Sequence, residues 1–336
     1  MPYSNEIAGF VGKIKRYSVK NRRPLALGRE SVLWLCDDEQ TKQEVVIKAF
    51  RNIDMPKEAW NKFFREVKVL QSLNHPNILQ ILDWGFEGTD EVSDPFLVLP
   101  YCKGGNLRNV LDGRDFLTPE VFFPLLEQVA LAIDFAHKQG IIHNDIKPEN
   151  LLFIDPQKNH ICLSDFGVAK ILPFNEAMTT ESRGGAGTTA YLSPEQLTEN
   201  QQSHLSDIYS LSVVAYEALT GKLPFDTNAP PMQQMLQKVT GNIADPIKIN
   251  PLLTKPIRDA LLAGLSVSPS KRPKTASELC SFLKGNGKIS PNENPKKKSF
   301  WSSLPPTQKV AVITGIIAAI ATIITAIVSI IPALLK

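Results

Sequence analysis

The sequence predicts an α+β fold in two lobes, a small strand-rich one followed by a larger helical one with a cleft between them. A membrane-crossing helix is expected at the C-terminal end. Three observations lead there. Short apolar runs bounded by turn residues fill the first third of the chain, long runs with helical spacing follow, and the last stretch is apolar and uncharged. The 336 residues are 43% hydrophobic and 21% charged, which suits a sizeable core and excludes a disordered chain. A formal net charge of +3 is too small to mark a nucleic-acid binder. The cysteines at 36, 102, 162 and 280 lack metal-ligand spacing and read as single thiols of a reducing compartment.

The opening "MPYSNEIAGFVGKIKRYSVK" has no apolar run long enough for a secretory signal. "SVLWLC" and "EVVIKAF" read as strands, with "DDEQTKQ" between them as a hairpin turn region. In "PKEAWNKFFREVKVLQSLN" the apolar positions 60, 63, 64, 67 and 70 follow helical spacing. "PFLVLPYC" reads as a buried strand ending at Pro100. After "KGGNL" the character turns helical, and "TPEVFFPLLEQVALAIDFAHKQG" carries a Thr–Pro–Glu start and a Gly stop. The globular part is therefore residues 15–284, strand-rich over about 15–101 and helical over about 102–284. Residues 285–306 are rich in Gly, Pro, Asn, Ser and Lys without apolar periodicity, and read as a flexible basic tether.

From Val310 to Leu335 there is no charge, and a bilayer core needs roughly 20 residues. Residues 310–335 are expected to span a membrane once. Lys296, Lys297, Lys298 and Lys309 precede the span and only Lys336 follows, which keeps residues 1–309 on the cytoplasmic side. The arrangement reads as a tail anchor rather than a receptor with an outer sensor.

Chemistry concentrates in "IIHNDIKPENLLF", residues 141–153, where an acid, a base and an amide share one loop. "HNDIKPEN" is followed, fifteen residues after Asn150, by the "DFG" that begins at Asp165. The pair closely resembles the catalytic and metal-binding loops of eukaryotic-type (Hanks-type) serine/threonine protein kinases. Other elements extend the resemblance across nearly the whole globular part: "EVVIKAF" with Lys48, "FFREVKVL" with Glu66, "GTTAYLSPEQL" with Thr188 and Glu195, "SDIYSLSVVAYEALTGKLPF" with Asp207, and "PSKRP" with Arg272. "YLSPEQL" and "YEALTGKLPF", taken with one membrane span, look most like the bacterial membrane-anchored members.

The resemblance implies a bilobal protein-kinase-like fold and transfer of the ATP γ-phosphate to serine or threonine hydroxyls of proteins. It gives Lys48 to the α- and β-phosphates, held by Glu66, and Asp145 to the substrate hydroxyl's proton. Lys147 would meet the γ-phosphate, Thr188 would brace Asp145 and Lys147, Asp207 would buttress the catalytic loop, and Arg272 would pair with Glu195. Asn150 and Asp165 offer the hard oxygen ligands that Mg²⁺ favours, with Mn²⁺ a further candidate. For the nucleotide it implies Leu25, Gly28, Ser31 and Leu33 above, Leu99 at the gate, and backbone groups of Pro100 and Cys102 at the purine edge.

Two features depart from the pattern. The phosphate-covering loop carries Ala26, Gly28 and Ser31 where the family has three glycines, and glycine matters where backbone must approach phosphate. Asn144 stands where many members carry an arginine that pairs with a phosphorylated activation loop. Thr179, Thr180 and Ser182 remain candidates for autophosphorylation, in trans through self-association at the membrane, but phosphate there should matter less to basal activity. The competing reading is a pseudokinase scaffold, for which the glycine-poor loop is the one argument. A small-molecule kinase is disfavoured by the "GTTAYLSPEQL" segment.

Overall fold

The computed structural model describes residues 16–28, 31–50, 67–89, 92–166, 189–198 and 201–286. The chain divides into two compact units, Met1–Ile289 and Ser290–Lys336, and the described residues belong to the first. The predicted membrane helix and the predicted tether beyond Asn286 lie outside the described residues. Among those described, no helix is long and apolar enough to cross a membrane.

Strands β1 (Tyr17–Val19), β2 (Ala26–Leu27), β3 (Ser31–Asp38), β4 (Glu44–Phe50), β5 (Asp83–Thr89) and β6 (Val92–Pro100) form one antiparallel sheet. Its order is β1-β3-β4-β6-β5, with β2 paired to β3. β3 and β4 contain the strands read from the sequence, and β6 ends at Pro100 as expected. Alternation sorts the side chains into two faces. Val32, Trp34, Cys36, Val45, Ile47, Phe96 and Val98 pack on one face into a core with Tyr17. The register Leu33↔Lys48↔Leu97 and Leu35↔Val46↔Leu99 places Leu33, Lys48 and Leu99 together on the other face. A one-residue slip would exchange the faces, so the hydrophobic core dictates where Lys48 points.

The β3–β4 turn, predicted from "DDEQTKQ", is organised by Asp38. Its carboxylate accepts from Arg16 Nε and Nη2 (both 2.9 Å), from Gln40 N at 3.0 Å and from Thr41 Oγ1 at 2.9 Å. The Arg16 guanidinium holds the Asp38 carboxyl well below the usual aspartate range. A depressed folded value contributes stability that is complete above the unfolded pKa, about 4, and is lost as pH falls through the folded one. The destabilisation caused by Asp38→Asn, measured by urea unfolding, should therefore be larger at pH 7 than at pH 3.

The second lobe is helical: α1 (Leu107–Leu111), α2 (Pro119–Lys138), α3 (Pro194–Thr198), α4 (His204–Thr220), α5 (Pro231–Thr240), α6 (Pro246–Ile249), α7 (Lys255–Gly264) and α8 (Ala276–Leu283). A small hairpin of β7 (Leu151–Phe153) and β8 (Ile161–Leu163) carries the loops of interest. α2 begins with Thr118 as N-cap and stops before Gly140, close to the predicted limits. α4 is buried from Ser206 to Thr220, so its polar side chains need internal partners. Ser212 and Thr220 find them by donating to the carbonyls of Ile208 and Tyr216 (both 2.7 Å).

Gly221 ends α4 in the left-handed region (φ 71°), where a Cβ would stand 1.6 Å from the Asp115 carbonyl oxygen. Gly221→Ala should cost about 3 kcal/mol in urea unfolding, from backbone strain and this clash together.

Candidate active site

The loop between α2 and β7 is built on a carboxylate from the buried helix. Asp207 accepts backbone N–H bonds from His143 and Asn144 (both 2.8 Å), and its Oδ2 lies 2.8 Å from His137 Nε2. This is the buttress expected of Asp207; the His137 contact was not legible beforehand. Asn144 takes φ 64°, a left-handed conformation that asparagine tolerates better than most side chains. The residue read as a missing charge thus also suits its backbone.

His143 joins this loop to the next. Its Nε2 donates to the Ser164 carbonyl at 2.8 Å, while Nδ1 accepts from Asp145 N at 3.2 Å. Those partners need the neutral ring, and burial lowers its pKa despite Asp207 nearby. The ring also packs on Phe166, with centroids 4.5 Å apart.

Asp145 Oδ2 accepts from Lys147 Nζ at 2.8 Å and from Asn150 Nδ2 at 2.9 Å. Asn150 Nδ2 gives its other hydrogen to the Asp145 carbonyl at 2.8 Å. The amide of Asn150 is therefore fixed with Oδ1 as its remaining acceptor, and among the described residues none donates to Asp145 Oδ1. Ser164 N and Oγ donate to the Asn150 carbonyl (2.9 and 3.1 Å), which seats Asp165 beside Asn150. Asp165 stands at φ 63°, and Lys48 Nζ donates to its Oδ1 at 2.6 Å. Desolvation opposes ionisation of Asp165, but the Lys48 ammonium outweighs it and keeps the carboxyl below its ordinary range.

The Lys48–Asp165 pair is thus linked through Ser164 to Asn150, and Asn150 in turn to Asp145 and Lys147, so that contacts run from the sheet to the catalytic loop. Two oxygen donors, Asn150 Oδ1 and the Asp165 carboxylate, suit a hard divalent cation. Among the described residues no group of three or more His, Cys, Asp and Glu could hold a metal alone. Mg²⁺ fits that donor set, since it completes its shell with phosphate oxygens and water.

Four of the predicted nucleotide residues are brought together by the sheet. Ser31, Leu33, Lys48 and Leu99 share a sheet face through their register. Leu25 N donates to the Leu33 carbonyl at 2.8 Å, extending the β2–β3 pairing. Gly28 N donates to the Ser31 carbonyl at 2.8 Å, and a Cβ on Gly28 would stand 3.0 Å from that oxygen. Pro100 closes β6 and Cys102 follows, its thiol pushed up to about 11 by burial, which suits a structural thiol. All four cysteines are buried and free.

Glu66 and Thr188 lie outside the described residues, as do Thr179, Thr180 and Ser182. Of the predicted helix 56–74, residues 67–71 are described and helical. Arg272 meets Glu195 as expected, with Nη1–Oε1 at 2.7 Å and Nη2–Oε2 at 2.8 Å. Sequence reasoning missed a second arginine. Arg108 donates to Glu149 (2.9 Å), to Glu217 (2.8 Å) and to the Tyr191 hydroxyl, and Tyr191 donates in turn to Glu217 at 2.5 Å. The only local signal was Glu149, inside the quoted loop.

Comparison with known proteins agrees with the geometry. A family model described as the protein kinase domain matches residues 20–282. Serine/threonine-protein kinase PknB of Mycobacterium tuberculosis is 31% identical over 274 residues, covering 81% of this chain and 43% of PknB. Serine/threonine-protein kinase PrkC of Bacillus subtilis is 32% identical over 263 residues, covering 78% of this chain and 39% of PrkC. The chain spans less than half the length of these curated relatives. The crystal structure of Rad53 1–466 in complex with AMP-PNP is similar in fold, with a TM-score of 0.65 at 24% identity over 80% of this chain and 66% of that chain.

Proposed function

This chain belongs to the protein kinase family, among its serine/threonine members, and from that premise we propose that it transfers the γ-phosphate of ATP to serine and threonine hydroxyls of proteins. The observation that carries the reading is Asp145. Lys147 and Asn150 hold one of its carboxylate oxygens, and the other remains for a hydroxyl proton. In this reading Asp145 orients the acceptor hydroxyl and takes its proton. Lys147 stays beside that oxygen as charge develops on the transferred group. Lys48 neutralises the α- and β-phosphates, with Glu66 as its second partner, and Thr188 braces the loop. Asn150 and Asp165 hold the divalent ion, which when bound screens phosphate charge. Leu25, Gly28, Ser31, Leu33, Leu99, Pro100 and Cys102 enclose the nucleotide. Ala26 and Ser31 are the smallest replacements for glycine, so the covering loop still closes.

We further propose that residues 310–335 tether the enzyme to a membrane with its catalytic part in the cytoplasm. Confinement there raises the effective concentration of neighbouring copies and favours autophosphorylation in trans. Membrane fractionation of the full chain against one ending at residue 306 checks the tether: equal recovery in the soluble fraction would remove it.

The test of the chemistry is a radiolabelled-ATP assay on dephosphorylated casein with Mg²⁺, followed by phosphoamino-acid analysis. Label in phosphoserine or phosphothreonine is expected, and none after chelation of the metal. The glycine-poor loop supports one other reading, a scaffold that binds partners without turnover. A folded protein that transfers no label under Mg²⁺ or Mn²⁺ would establish it instead.

A further inference from the structure

One buried cation is not used by this chemistry. Lys238, on α5, is 3% exposed. Its Nζ donates to the carbonyls of Ala190 at 2.7 Å and Leu192 at 3.0 Å, and lies 4.9 Å from the centre of the Phe225 ring. The residue between those carbonyls, Tyr191, is held from two further sides. Its own carbonyl accepts from Ser210 Oγ at 2.8 Å, and its hydroxyl joins Glu217 and Arg108. Arg108 reaches on to Glu149, in the helical turn Pro148–Asn150 of the catalytic loop. Residues 190–192 are therefore tied to that loop on the side chain of Glu149, four residues after Asp145.

We propose that Lys238 is a positioning residue for the acceptor protein: its ammonium, shared between the carbonyls of Ala190 and Leu192, fixes the main chain against which the acceptor segment lies. The inference rests on the kinase reading. Two carbonyls two residues apart and aimed at one point repel each other, and an ammonium with three N–H donors satisfies both at once. Burying that charge is costly, and burial pushes its pKa down to about 7. A residue needed only to fill space would do so without that cost. Ala190, Leu192 and Phe225, the described residues that Lys238 meets here, are assigned neither to nucleotide nor to metal, so its loss should act on the acceptor and not on ATP.

Lys238→Met should raise the KM for dephosphorylated casein about tenfold, the size of losing a charge-assisted hydrogen bond, with kcat and the KM for ATP within about twofold of wild type. Hydrogen–deuterium exchange in peptides covering residues 187–197 should quicken in the same variant. Lys238→Arg, which can donate to both carbonyls, should recover most of the casein KM. Gln233→Ala, on the exposed face of α5, should match wild type. Should Lys238→Met fail to fold, Lys238→Gln carries the comparison, since its amide is too short to serve both carbonyls. An unchanged casein KM, or an ATP KM that rises in step with it, overturns the proposal. Wild-type protein that phosphorylates nothing overturns the kinase reading instead, and unaltered exchange over 187–197 then rejects the brace separately.

Discussion

Asp145→Asn is expected to lower kcat by about a hundredfold to ten-thousandfold, the range general base catalysis supplies. The substitution keeps the size of the side chain. The amide can still accept from Lys147 and Asn150 through its oxygen, as the present Oδ2 does at 2.8 and 2.9 Å. What it loses is the oxygen that takes the proton, because the other position becomes an N–H₂ donor. Binding of ATP should change little, since Lys48 and Asp165 contact each other and not Asp145. The check is steady-state kinetics on casein together with a thermal melt. A folded variant that keeps a tenth or more of the wild-type kcat would remove Asp145 from the role of base.

Arg272→Met is expected to lose about 3–5 kcal/mol of stability in urea unfolding, the cost of breaking a buried ion pair from one side. The guanidinium side chain is wholly buried, and each of its five N–H groups has an acceptor. Nε donates to the Ser266 carbonyl (2.8 Å), Nη1 to Glu195 and the Leu205 carbonyl (2.7 and 2.8 Å), and Nη2 to Glu195 and the Val267 carbonyl (2.8 and 3.2 Å). Removing the arginine leaves three carbonyls without these donors and a carboxylate whose other side-chain donor is Ser206 Oγ at 2.8 Å. Desolvation already works against the Glu195 charge, and Arg272 at present outweighs it, keeping the carboxyl below its usual range. The double variant Glu195→Leu with Arg272→Met should therefore recover part of the loss, because no uncompensated charge remains. Equal stability of the single variant and wild type would mean that the pair contributes nothing net. Glu195 lies in α3, just after residues 189–193, so the single variant should lose acceptor affinity along with stability.

The parts of the site that could be read in advance share one property: their chemistry is packed into a few consecutive residues. In "HNDIKPEN" the acid, the lysine and the amide are two to five residues apart, and one loop suffices to bring Asn150 and Lys147 onto Asp145. The strands were legible for a similar reason, since "SVLWLC" and "EVVIKAF" are short apolar runs bounded by turn residues within a few positions. Arg272 with Glu195, and Asp207 beneath the loop, were expected only through family resemblance. No local pattern announces a contact across 77 residues.

Arg108 and Lys238 show where such reading ends. Each sits in a helix among polar neighbours, "NLRNVLDG" and "MQQMLQKVTG", where a cation ordinarily faces water. Arg108 instead joins residues 41, 83 and 109 positions away, and Lys238 reaches carbonyls 46 and 48 positions away. Asn144 is intermediate. Its lack of charge is plain from the sequence, whereas its left-handed backbone appears only once Asp207 has claimed its N–H.

By itself the sequence determined strands β3, β4 and β6, helix α2, and the loop that gathers Asp145, Lys147 and Asn150. Covalent spacing and side-chain alternation act over a few residues, and a few residues are enough for those features. Only the tertiary structure decided which isolated polar side chains are withdrawn from water and what they hold. Burial is a sum over segments far apart in the chain, and an ammonium or guanidinium tolerates it only where those segments supply its acceptors.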